Sequence, residues 1–317
     1  MNWTQIRDAI ANHSGLTILE MVPLKNYTSL DIGGPARLFA TVTSAAAAAK
    51  LLKAATQLQL PALILGGGTN LLVSDDGFEG LAIHTDFKDI HICQDTHRVT
   101  AGATVRVAEL VSAVIDQSLG GMEFASGLPG TVGGAVAGNA GCFGSSFGEI
   151  LTAATILTPE GVEEAVLPEY FEFEYRRSIV RDMGVIVASA TFQLHPDDQE
   201  VLRKTADAHL ELRRTRHPGR HMKTAGSYFK NLPPLNAGEH RRAAGALLEA
   251  VGAKQMAVGD AAVFEKHANI LINRGNATAR DMLTLEARLK QKVFERFGVA
   301  LDPEVRFVGK RPDIVPD

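Results

Sequence analysis

Ten of the chain's 30 glycines fall between Gly120 and Gly148. Glycine loses more freedom on folding than any other residue and has no side chain to bury, so it concentrates where backbone must turn tightly or approach something closely. The segment runs Ala125-Ser126-Gly127-Leu128-Pro129-Gly130-Thr131-Val132-Gly133-Gly134 and on to Gly138-Asn139-Ala140-Gly141. A flexible linker would be polar and Ser-rich. This segment holds Leu128, Pro129, Val132 and Val136 instead. It reads as buried, tightly turned backbone wrapped around something large and flat, or else as backbone packed against another element. A second cluster, Gly66-Gly67-Gly68-Thr69-Asn70, follows the apolar run Pro61–Leu65. Such a triplet can aim several N–H groups at one anion, with a diphosphate the plausible guest; a ligand-free hairpin is the plainer alternative. No Gly-Lys-Ser/Thr ending makes it a P-loop, and Leu71 stands where a Rossmann fingerprint needs its third glycine.

Composition narrows the function classes. The 317 residues are 45% hydrophobic and 21% charged, with a net charge of −4, as in an ordinary soluble globular protein. Mild acidity argues against nucleic-acid or anionic-membrane partners. Two cysteines, Cys93 and Cys142, exclude a disulfide scaffold and a four-cysteine zinc site. No His/Asp/Glu cluster has metal-ligand spacing, so no metal is expected. No apolar run reaches about 18 residues, and Asp8 and His13 stand where a signal peptide needs an apolar core. The expected location is cytoplasmic. Oligomeric state is not encoded in any feature of the chain.

Periodicity gives the elements. Ser44 should cap a helix through Ala45–Ala49 and Leu58. Short strands are expected at Pro61–Leu65, Leu71–Val73 and Gly80–Thr85, with a strand–glycine turn–strand plan at the first two. His91–Val99 reads as a strand, Val105–Leu119 as an amphipathic helix, Leu151–Leu167 as a hairpin and Gly184–Leu194 as a strand. After His195-Pro196 the chain becomes charged and helical over Asp197–Arg216, then basic and Pro/Gly-containing over His217–Thr224. A domain boundary is expected near 200–220. Beyond it come a helix near Arg241–Val251, a strand at Ala268–Asn273, a helix at Thr278–Phe297 and a strand at Val305–Val308. Leu285, Leu289, Val293 and Phe297 repeat every four residues along that last helix. Strands and helices are segregated, an α+β pattern.

Seven segments in order carry a resemblance: Thr28-Ser29-Leu30-Asp31-Ile32-Gly33-Gly34, Leu65–Val73, Glu123–Gly141, Tyr175-Arg176-Arg177-Ser178, Ala225-Gly226-Ser227-Tyr228-Phe229-Lys230-Asn231, Glu265-Lys266-His267-Ala268-Asn269 and Pro303-Glu304-Val305. The two glycine-rich segments together resemble the FAD-binding domain of the vanillyl-alcohol oxidase / p-cresol methylhydroxylase type. Within that superfamily the seven segments resemble the UDP-N-acetylenolpyruvoylglucosamine reductase (MurB) family of peptidoglycan synthesis. The 51 positions between Arg176 and Ser227 are similar to the shorter subgroup lacking the tyrosine loop. The resemblance implies an N-terminal lobe plus FAD-binding domain over 1–200, a separate α/β substrate domain over 201–303, and a tail over 304–317 returning to the first lobe. It implies non-covalent FAD, NADPH as co-substrate, and UDP-N-acetylglucosamine enolpyruvate reduced to UDP-N-acetylmuramate. Hydride would go from flavin N5 to the vinyl CH2 carbon, and a proton to the adjacent carbon.

By the same resemblance, Arg176 binds the substrate carboxylate and meets the enolate-like charge with its planar fork, while Ser227 donates the proton and Glu304 helps polarise the substrate. Gly66, Gly67, Gly68, Thr69, Asn70, Leu71, Gly130, Thr131, Gly133, Gly134, Asn139 and Gly141 are the implied FAD contacts. Tyr175, Arg216 and Asn231 are the implied substrate contacts. Phe264 and Leu232 depart from the family's usual small or polar residue and proline. The basic connector Arg213, Arg214, Arg216, Arg220 and Lys223 reads equally as a solvated face. His267 is expected to line or support the pocket rather than move a proton. An oxygen-using oxidase of the superfamily would be longer, and a binding protein that had lost catalysis would have no reason to keep Arg176, Ser227 and Glu304 together.

Overall fold

A computed structural model describes residues 2–219, 221–236 and 238–314. The chain divides into two compact units. The first comprises residues up to Val22, Ala36–Gly67 and Glu79–Arg213; the second comprises Pro23–Pro35, Gly68–Phe78 and the chain from Arg214 onward.

The first unit holds two sheets. One has the order Leu19–Pro23, Pro35–Val42, Phe78–Thr85, Ala62–Leu65. Its core joins Leu38, Ala40, Leu81 and Ile83 to Ala48, Leu51 and Leu52 of the helix Ala45–Gln57. Ser44 caps that helix, its side chain accepting from Ala47 N at 3.2 Å. The other sheet, antiparallel throughout, runs Glu163–Val166, Leu151–Leu157, Ile186–Gln193, Arg98–Gly102, Ile90–Cys93. Its core is shared by the helix Val107–Asp116 (Leu110, Val114), the short helix Val132–Ala137 (Val132, Val136) and the helix Gln199–Arg216 (Leu202, Ala206).

In the second unit an antiparallel sheet, Lys223–Ser227, His267–Asn273, Ala261–Phe264, Ala257–Val258, is covered by the helices Ala244–Ala250 and Ala279–Phe297. Leu248, Val263, Leu271, Leu285, Leu289 and Val293 fill the core between them. Thr278 caps the long helix in a reciprocal box with Asp281, and Gly298, at φ +64°, ends it. Asp75 takes up two further N–H groups of that helix's first turn, Ala279 at 2.7 Å and Arg280 at 3.1 Å. Leu71–Val73 pairs in parallel with Arg306–Val308.

Several expectations need correction. Ala62–Leu65 and Leu71–Val73 are strands but not a hairpin: the first pairs with Leu81–His84, the second with Arg306–Val308. The chain passes from one unit to the other between Gly67 and Gly68. His91–Val99 is two strands, because the turn at 94–97, with His97 at φ +53°, folds the run into a hairpin. The division falls at Arg213/Arg214, inside the expected 200–220 stretch but later than the 200/201 bound implied by the resemblance, since Leu202 and Ala206 of the intervening helix are buried in the first core. The helix near Arg241 starts only at Ala244, because Arg242 is bridged to Leu232. Phe297, expected on the buried stripe, is 38% exposed in the last turn.

Candidate active site

The first unit carries a floor made of backbone. A Cβ built on Gly67 would stand 3.2 Å from Gly130 Cα, and one on Gly66 would stand 2.8 Å from Thr131 Oγ1. The segment around Gly130 is stitched to a neighbouring loop: Val107 N donates to Gly130 O, Val132 N to Val105 O and Gly133 N to Ala103 O, at 2.9–3.1 Å. Thr131 is the cap residue of the short helix, yet its hydroxyl makes no capping bond. Thr131 Oγ1 and Ser126 Oγ are both buried without a hydrogen-bond partner. A buried, unsatisfied hydroxyl costs about 1–3 kcal/mol, so that of Thr131, beside the backbone floor at Gly66, marks a place for a ligand rich in acceptor oxygens. The residues present fit the diphosphate of FAD.

Not every glycine serves that floor. A Cβ on Gly133 would strike Ala103, and one on Gly141 would overlap the Ser145 carbonyl, so both allow close packing. Gly134 is exposed, with only Thr131 Oγ1 near its missing Cβ, at 3.5 Å. In the second unit Gly68 has φ +60°, and a Cβ there would overlap the Tyr27 carbonyl. Ser29 N donates to Gly68 O, and Ser29 Oγ donates to Thr224 O at 2.7 Å. The Thr28–Gly34 segment therefore ties the Gly68-Thr69-Asn70-Leu71 loop to the strand that ends at Ser227.

Arg176 lies in the first unit, on a tight turn closed by Glu174 N to Arg177 O at 3.0 Å and Arg177 N to Glu174 O at 3.2 Å. Its φ is +58°, a left-handed conformation that costs a branched-Cα residue about 1–2 kcal/mol and that glycine or asparagine would normally occupy. Such strain persists where the surroundings impose it, and functional sites are where it collects. The guanidinium sits 5.6 Å over the Tyr175 ring, its Nε buried while Tyr175 is exposed. Arg213 is close enough that burial, first, and the charge of Arg176 lower its guanidinium pKa from the usual value, with Cys142 opposing.

Ser227 and Glu304 lie in the second unit, on neighbouring segments. Thr224 opposes Ile272 while Ser227 opposes Ile270, so one extra residue bulges the strand, with Gly226 at φ +77°. Bulges re-aim the side chain that follows, and here that side chain is Ser227, half-buried. Glu304 N donates to Tyr228 O at 2.8 Å, and Asn70 Nδ2 donates to Glu304 O at 3.1 Å. Beneath them Asn269 holds both backbone groups of Phe229, and the buried Tyr228 hydroxyl donates to Glu286 at 2.9 Å. Burial and the Glu286 carboxylate push the Tyr228 phenol well above its ordinary value.

Comparison with known proteins settles what this scaffold is. The model of the UDP-N-acetylenolpyruvoylglucosamine reductase C-terminal domain matches residues 217–308, and that of an FAD binding domain matches 36–165. A UDP-N-acetylenolpyruvoylglucosamine reductase 2 from Symbiobacterium thermophilum is 39% identical, with 93% of each chain covered. The reductase from Latilactobacillus sakei is 37% identical over 98% of this chain and 99% of its own. The chain belongs to the UDP-N-acetylenolpyruvoylglucosamine reductase family. The crystal structure of such a reductase from Thermus caldophilus is similar, with a TM-score of 0.77 and 30% identity over 93% of this chain and 99% of that one. The α+β fold, with an FAD-binding domain and a separate C-terminal domain, is that of the reductase family.

Within the reductase scaffold the remaining expected residues sort by what they touch. Asn139 is engaged by protein on both sides of its amide, with Glu174 O and Gly148 N. Asn231 Oδ1 accepts from Ala244 N and so caps a helix, while its carbonyl takes the Arg241 guanidinium. Arg216 is exposed at a helix end, and Leu71 is in a paired strand. Arg213 is not part of a solvated face: it is half-buried, with Nη1 3.7 Å from Cys142 Sγ. Lys223 pairs with Asp31, and Arg220 lies outside the described residues. Phe264 and Leu232 are core residues. His267 Nδ1 accepts from Asn269 N at 3.2 Å, and burial lowers its pKa. Ser126 and Ser29 were not singled out individually in the sequence; each stood inside a resembling segment, but a serine beside glycine carries no separate signal. Among the described residues no helix is long and apolar enough to cross a membrane.

Proposed function

We infer that this chain reduces UDP-N-acetylglucosamine enolpyruvate to UDP-N-acetylmuramate for peptidoglycan synthesis, as an FAD-dependent reductase working in the cytoplasm with NADPH as the electron source. Bound FAD supplies the hydride that adds to the vinyl CH2 carbon. Addition leaves an electron pair on the neighbouring carbon, conjugated into the carboxylate. Arg176 meets that charge: its fork binds both carboxylate oxygens and strengthens its hold as the enolate forms. Ser227 Oγ gives its proton to the carbon that bears the carboxylate, which completes the addition. Glu304 supports the polarisation. Ser126 and Thr131 hydroxyls, with the backbone around Gly66, Gly67 and Gly130, hold the cofactor's diphosphate.

The observation that carries this reading is the backbone of Arg176. A residue that would be easier to fold as glycine is an arginine, and the reaction needs a planar cation. The proton role is tested by separating the half-reactions of Ser227→Ala. Flavin reduction by NADPH creates no substrate carbanion and should proceed at a near-normal rate. Reoxidation by the enolpyruvyl substrate should fall by at least ~10²-fold, the lower range for a lost general acid. Ser227→Cys should recover part of the loss. Equal loss in both half-reactions would make Ser227 a turn residue.

A further inference from the structure

Asn139 stands inside the glycine-rich segment expected to touch FAD, but its amide faces elsewhere. Nδ2 donates to Glu174 O at 2.9 Å, and Oδ1 accepts from Gly148 N at 3.0 Å. Glu174 is the first residue of the turn that presents Arg176. On the other flank, the fully buried Ser178 donates from Oγ to Ala137 O at 2.6 Å. Two side-chain bonds thus fasten both ends of one turn to the backbone and loop of a single short helix. Three features show that the fastening is built in. Asn139 itself has φ +42°, which asparagine tolerates. Gly148 leaves no room for a Cβ, which would stand 2.8 Å from Phe173 and 3.0 Å from Asn139 Oδ1. Phe173, next to Glu174, stacks on buried Phe171 at 5.0 Å.

We propose that Asn139, together with Ser178, is a positioning residue for Arg176, holding the turn in its left-handed form. The proposal rests on the reading of Arg176 as the substrate-carboxylate cation. Arginine in the left-handed position costs about 1–2 kcal/mol, which bonds at both ends of the turn offset, and a displacement of about 1 Å at a positioned group can lower rate by ~10²-fold.

The test uses the holoenzyme, reduced anaerobically with dithionite and mixed with the enolpyruvyl substrate. Asn139→Asp is nearly isosteric and keeps the acceptor for Gly148 N, but turns an acceptor toward the Glu174 carbonyl. Ser178→Ala keeps the volume and loses only the bond to Ala137, so it carries the same test if the first variant folds poorly. Each is expected to bind FAD normally and to slow reoxidation by about 10- to 100-fold. In an Arg176→Ala background neither should add more than about twofold, because coupled residues are non-additive. The Asn139→Asp deficit should shrink as pH falls, since a protonated carboxyl can again donate to Glu174. Loss of flavin in step with rate would assign Asn139 to the cofactor and overturn the proposal. A damaging Arg176→Ala with multiplicative effects in the double variant would overturn it while leaving the Arg176 reading intact. A harmless Arg176→Ala would overturn both.

Discussion

Replacing Arg176 with glycine should leave the first unit more stable than replacing it with alanine, although both variants lose activity. At φ +58° alanine retains the left-handed cost of about 1–2 kcal/mol, and glycine does not. Glycine returns part of that difference by loosening the unfolded chain, about 0.4–1 kcal/mol. Both variants lose the contact with Tyr175 and the repulsion of Arg213, so those terms cancel. The remaining advantage of glycine is about 1 kcal/mol. For a unit of about 190 residues this corresponds to a melting temperature higher by ~2–4 °C. Calorimetry on the two variants, matched for FAD content, reads the difference directly. An alanine variant as stable as the glycine variant would show that the turn carries no strain, and the inference from strain to function would fail with it.

Gly67→Val should give folded protein with little flavin, because a branched side chain would rise from the backbone floor; a normal visible spectrum in the purified variant would move the diphosphate elsewhere. Asn70→Asp removes the donor to the Glu304 carbonyl and should lower turnover by about tenfold, the scale of one lost hydrogen bond, with flavin content unchanged. Tyr228→Phe leaves Glu286 without its phenol donor and should destabilise the second unit by about 1–3 kcal/mol in urea titrations. Burial, the first cause in each case, lowers the pKa of His84 and His267, so the folded protein refuses protons that the unfolded chain accepts near pH 6.5. Stability should therefore fall as pH drops below about 6.5, and replacing either histidine with glutamine should flatten that fall.

The parts legible in the sequence were those set by local chemistry. Ser44 caps its helix where it was expected to, because capping depends on a side chain and the next three residues. The glycine segments were legible as close-approach backbone because glycine concentrates where backbone meets backbone, as at Gly67 and Gly133. Partner choice was not legible. Ala62–Leu65 and Leu71–Val73 look like two arms of a hairpin, yet their partners come from Leu81–His84 and from Arg306–Val308, over two hundred residues away in the second case. The roles of asparagines within motifs were also hidden. Asn70 and Asn139 sit in the glycine-rich segments expected to touch FAD, while their amides hold the segments carrying Glu304 and Arg176. The conformation of Arg176 had no sequence signal at all, since turn preferences would place glycine there.

The most direct measurement is optical. The purified yellow protein is bleached anaerobically with one equivalent of NADPH, and UDP-N-acetylglucosamine enolpyruvate is then added. Colour should return within the turnover time, with one UDP-N-acetylmuramate formed per flavin reoxidised. Flavin that stays bleached until oxygen is admitted, with the enolpyruvyl substrate recovered unchanged, would contradict the account.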